Sequence, residues 1–97
     1  MVDDSKLTMK SMLVKLLYEK GEAWDYELVQ EIQEKSKRTS DYWKWVFRFW
    51  TIELAASNIF KVTEAAVDDG SHFGIDKVVY RFQMTTLGKE RAEELLI

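Results

Sequence analysis

The sequence predicts an α+β domain in which three helices precede a two-stranded hairpin and a short fourth helix. Three observations carry this. Up to about residue 57, apolar side chains recur at three- and four-residue spacing, which is one face of a helix. From 76 to 84 the pattern changes to alternation, the period of a strand. Just before it lies a run rich in aspartate and glycine, the composition of a hairpin loop. Ninety-seven residues have room for one core, so residues 1–97 read as a single domain.

The first helix spans about 8–20. Met9, Met12, Leu13, Leu16 and Leu17 share a face, and Lys10 and Lys15 lie off it. Thr8 suits the N-cap and Gly21 the left-handed position after the last turn. The second helix, about 25–35, buries Leu28, Val29 and Ile32. Asp25 is its expected cap, Glu27 and Lys35 suit the two ends of the dipole, and Trp24 is placed to staple onto Val29. A polar turn, "SKRTS", follows, with Thr39 and Ser40 as two cap candidates for the third helix, about 40–57. There Trp43, Phe47, Trp50 and Leu54 form one wide aromatic face directed at the first two helices. Asn58, tolerant of left-handed backbone, ends it. Residues 59–67 and 76–84 are the two strands, and "DDGSHFGI" is the loop between them. In the second strand Val78, Tyr80, Phe82 and Met84 alternate with Val79, Arg81 and Gln83. The last helix starts near Thr85 or Thr86, with Leu87, Leu95 and Leu96 as its apolar positions.

Fourteen basic against seventeen acidic residues give a net charge of −3, but the distribution is uneven. Residues 1–34 carry −4, residues 35–48 carry +4, and residues 49–97 carry −3. Lys35, Lys37, Arg38, Lys44 and Arg48 make the basic segment, which is where an anionic partner would bind. Without cysteine there is no disulfide framework and no thiolate zinc site, and the single histidine, His72, is too few for a metal cluster or a Ser-His-Asp relay. The loop "DDGSHFGID" lacks the spacing and terminal glutamate of a calcium-binding hand. The chain is therefore expected not to be an enzyme and to take no cofactor or metal. No apolar run reaches the roughly 20 residues of a membrane span, and "MVDDSKLTMK" lacks the apolar core of a signal peptide. A cytoplasmic location is expected.

The second and third helices, joined by a short polar turn, have the arrangement of a helix-turn-helix, and the basic segment begins at that turn. With the hairpin and last helix added, the chain from about Thr8 onward resembles winged helix-turn-helix regulators of the MarR and PadR type. The resemblance is carried by "YRFQMTTLGKERAEELL", in which Tyr80, Met84, Thr85 and Gly88 fall at the family's spacing, and by "LAASNIFKV", in which Asn58 stands where the family has glycine. It implies a homodimeric transcription regulator that binds double-stranded DNA, with the third helix in the major groove. The residues expected to carry this are Lys44 and Arg48 on bases or phosphates, and Lys37 and Arg38 on phosphates in the turn. Ser40 and Tyr42 would add contacts, as would Lys61 and Arg81 at the base of the wing. Asp68, Asp69 and Asp76 make the tip of the wing a poor phosphate ligand.

Asp41, Lys44, Arg48 and Thr51 form the polar stripe that would face DNA, and Tyr42, Trp45, Phe49 and Ile52 form a second apolar stripe beside it. A helix in a watery groove has no use for the latter. Three placements are open: packing beneath the wing, which is the expectation, a dimer interface, or a partner protein at Trp45, Phe49 and Ile52. The last defines the alternative function, a winged-helix module for protein–protein interaction.

Overall fold

The computed structural model describes residues 8–96, with side chains as far as Glu94. Residues 1–7 lie outside what is described, as do the side chains of the expected apolar positions Leu95 and Leu96. The elements are α1 (Met9–Lys20), β1 (Glu22–Trp24), α2 (Asp25–Ser36), α3 (Asp41–Ala56), β2 (Phe60–Asp69), β3 (Ile75–Met84) and α4 (Thr86–Leu96). The architecture is α+β, with four helices and one three-stranded antiparallel sheet among the described residues. No helix in that range is long and apolar enough to cross a membrane.

Several local expectations hold. Thr8 caps α1, its Oγ1 accepting from the Ser11 N–H at 3.1 Å, and Gly21 follows the helix at φ 79°. Ser40 caps α3 by accepting from the Trp43 N–H at 3.4 Å. Asn58 leaves that helix at φ 63°. The turn between α2 and α3 is set by Lys37 at φ 60°, and the Gln33 side chain donates to the Ser40 carbonyl at 3.2 Å.

The expected two-stranded sheet is corrected to three strands in the order β1-β3-β2. β1 is three residues long, too short for any period to register, and it pairs Glu22, Ala23 and Trp24 with Gln83, Phe82 and Arg81. Trp24 is thus a strand residue stacked on Tyr26, with centroids 5.8 Å apart, and not a staple. Asp25 is also reassigned. Its side chain is fully buried, and its carboxylate accepts from the Tyr26 N–H at 2.7 Å and the Tyr80 N–H at 3.2 Å. Where β1 has become helix, this carboxylate supplies an acceptor that β3 would otherwise lack.

The core lies between the helices and one face of the sheet. Phe47 and Leu54 of α3, Leu13 and Leu17 of α1, and Leu28 and Ile32 of α2 are buried, and they meet Phe60 and Phe82 from the hairpin. Trp43 and Trp50 are half-buried against this cluster. Register fixes which side chains share that face. Phe60 lies opposite Met84 and Val62 opposite Phe82. Past a bulge at Thr63, Ala65 lies opposite Tyr80 and Val67 opposite Val78. Among the described residues β2 has β3 on one side and no strand on the other, and all its residues from Lys61 to Val67 are exposed.

Thr85 ties the start of α4 to the junction between α3 and β2. Thr85 Oγ1 donates to the Asn58 carbonyl at 2.6 Å and accepts from the Gly88 N–H at 2.8 Å. A Cβ at Gly88 would drive into the Ile59 carbonyl oxygen, so only glycine lets α4 approach the chain leaving α3.

Candidate interaction surface

The hairpin loop decides what α3 shows to solvent. Asp68 organises it, because Oδ2 accepts from the N–H groups of His72, Phe73 and Gly74 at 3.3, 2.6 and 2.9 Å. Burial opposes ionisation of this carboxyl, but the backbone donors prevail and hold its pKa at about 2. Folded this way, the loop turns back on α2 and α3. His72 stacks on Tyr26 with centroids 3.6 Å apart, and Phe73 is buried. Sequence reasoning did not single out Phe73. The available signal was one aromatic residue within an otherwise polar, glycine-rich loop.

This fold-back engages the two cations expected to face DNA. Lys44 donates to the His72 carbonyl, and its ammonium lies 5.5 Å from the Phe73 ring centroid. Arg48 donates to the Val78 carbonyl at 2.7 Å, and its guanidinium sits 4.8 Å from the Phe73 centroid and 5.6 Å from that of Trp45. Both side chains are half-buried. Arg48 Nε is buried without a hydrogen-bond partner among the described residues. Arg48 also lies in the field of Asp25. Burial lifts the Asp25 carboxyl to about 6, against the N–H groups of Tyr80 and Tyr26 and the positive charge of Arg48 and His72. Thr51, expected in the polar stripe, is fully buried and donates to the Arg48 carbonyl at 2.7 Å.

The remaining candidates do not converge. Lys37 is exposed in the turn. Arg38 is exposed too, and its guanidinium lies 4.6 Å from the Trp43 ring centroid. Ser40 is occupied as a cap. Lys61, opposite Gln83, and Arg81 belong to the sheet face opposite that of Phe60 and Phe82, by the alternation of the pleat. Lys61 is exposed, while Arg81 is paired with Glu22. Of the eight residues expected to bind DNA, Lys37, Arg38, Ser40, Tyr42 and Lys61 are therefore exposed, and Lys61 belongs to a different face from the core side of the sheet.

The second apolar stripe does not pack beneath the hairpin, contrary to expectation. Tyr42, Trp45, Phe49 and Ile52 are 70, 42, 58 and 39% exposed. The loop reaches only its edge, where the Phe73 and Trp45 centroids are 5.9 Å apart. In the hairpin Val62, Val67 and Val78 are exposed as well. The outer face of α3 presents an apolar stripe of a kind that marks contact with another protein. Comparison of the chain with family models, with curated proteins and with solved structures yields no match.

Proposed function

We propose that this chain is a protein-interaction module whose docking surface is the outer face of α3. Its helix order and hairpin are compatible with a winged-helix arrangement. One contrast carries the reading. The cations a groove reader would direct outward are hydrogen-bonded to hairpin carbonyls, while two aromatic rings, a tyrosine and an isoleucine occupy the outward stripe. Freeing Lys44 and Arg48 for phosphates would break these bonds and uncover Phe73.

DNA binding is the second reading, favoured by one observation: Lys35, Lys37 and Arg38 remain exposed together around the α2–α3 turn. Titration with mixed-sequence duplex DNA separates the two. The interaction reading expects no affinity that falls steeply with salt. A photoreactive phenylalanine analogue in place of Phe49, used in cells, should then link to protein. Salt-steep DNA affinity that is lost when Lys37, Arg38, Lys44 and Arg48 are all neutralised would replace this reading with the second.

A further inference from the structure

We infer that the partner on this surface is a second copy of the chain, paired through α3 against antiparallel α3 about a two-fold axis near residue 47. The inference rests on the interaction reading above and names its occupant. The stripe is self-complementary in spacing. Steps of three, four and three separate Tyr42, Trp45, Phe49 and Ile52, the a and d positions of a heptad. An antiparallel pair sets Trp45 of one copy against Phe49 of the other, and Tyr42 against Ile52. Each ring then meets a group of different shape, whereas a parallel pair would stack Trp45 on Trp45.

Charge selects the same orientation. Lys35, Lys37 and Arg38 stand at the N-terminal end of α3, and its last turn carries no basic residue. A parallel pair would bring two cationic turns together. The antiparallel pair directs each cationic turn toward the carbonyl end of the other copy's α3, the negative end of its dipole. Arg48, which flanks the seam near its centre, is held toward its own hairpin by its hydrogen bond to the Val78 carbonyl.

Area supports the pairing. The exposed parts of the four stripe side chains amount to roughly 450 Å² per copy, from the usual area of such side chains. Two copies together would bury about 900 Å², the size of a weak, reversible interface. A monomer would leave that apolar surface in water. An interface of this size, without a large hydrogen-bonded rim, fits micromolar association.

Sedimentation of the purified chain, with cross-linking of its Phe49 photoreactive derivative in a mixture of isotopically light and heavy chains, tests this. The expected result is a dimer at tens of micromolar, with light-to-heavy links joining position 49 to the segment around Trp45. Phe49→Glu should weaken association about thirtyfold or more, as for a central anchor, with an unchanged circular dichroism spectrum and, at concentrations where the parent is monomeric too, an unchanged melting temperature. Lys89→Glu, on α4, should remain dimeric. Links from position 49 to position 49 only, or a chain that stays monomeric at hundreds of micromolar, overturn the pairing. If such a monomer still links through position 49 to a different protein in cells, self-pairing fails and the interaction reading stands. If it links to no protein, both fail.

Discussion

Asp25 shows how one residue can read plainly in sequence and act differently in the fold. An aspartate before an amphipathic run is ordinarily an exposed cap, yet here the carboxylate is buried between α2, β3 and Arg48. Its pKa is raised to about 6, so the folded state holds a proton that the unfolded chain, near 3.8, releases earlier. Stability from this group is therefore greatest below pH 3.8 and is lost as pH rises to about 6. Asp25→Asn removes that slope. Melting curves of variant and parent, compared at pH 4.5 and pH 7, should shift in favour of the variant by about 2 kcal/mol on going to the higher pH. Asp68 and Asp69, held below the ordinary range, act in the opposite sense and only at lower pH, and they cancel in the comparison. Sequence could not show this burial, because the groups that surround Asp25 come from β3 and α3, far along the chain.

Among the elements, α3 has two apolar faces with different tasks. Phe47 is fully buried and Phe49 is mostly in water. Phe47→Ala should cost about 3–5 kcal/mol in denaturant unfolding of the monomer, by loss of transfer energy and the cavity left behind. Phe49→Ala should stay within about 0.5 kcal/mol, as an exposed substitution does. The inner face was legible in sequence because Trp43, Phe47, Trp50 and Leu54 follow helical spacing without interruption. The helices, the hairpin and its loop were legible for the same kind of local reason. β1 was not, since three residues establish no period and its partners lie some sixty positions away. Nor was the fold-back of the hairpin loop, which depends on Asp68 gathering three backbone donors and on Phe73 finding the space beside Arg48. The positions of Lys44 and Arg48 follow from that loop, which is why a charge pattern read along the helix directed them to solvent.

At the scale of the whole molecule, closure depends on the close passage of α4 over the junction between α3 and β2. Gly88 is the contact point, and the atom a side chain would meet there is backbone. Gly88→Ala should destabilise the chain by about 3 kcal/mol, measured by thermal or denaturant unfolding, because the Ile59 carbonyl cannot rotate away as a side chain would. The hairpin packs its loop on the body closed in this way, and among the described residues β2 is open along its far side. An open strand is a template onto which another strand can add, repeated indefinitely, and a ribbon of chains would result. This one is spoiled for that purpose. Register shifts at Val62/Glu64 and Val67/Asp69 disrupt its regular ladder, and Lys61, Glu64 and Asp69 place charges along it. The bare apolar face of α3 can thus coexist with an open strand without the hairpin seeding fibrous growth.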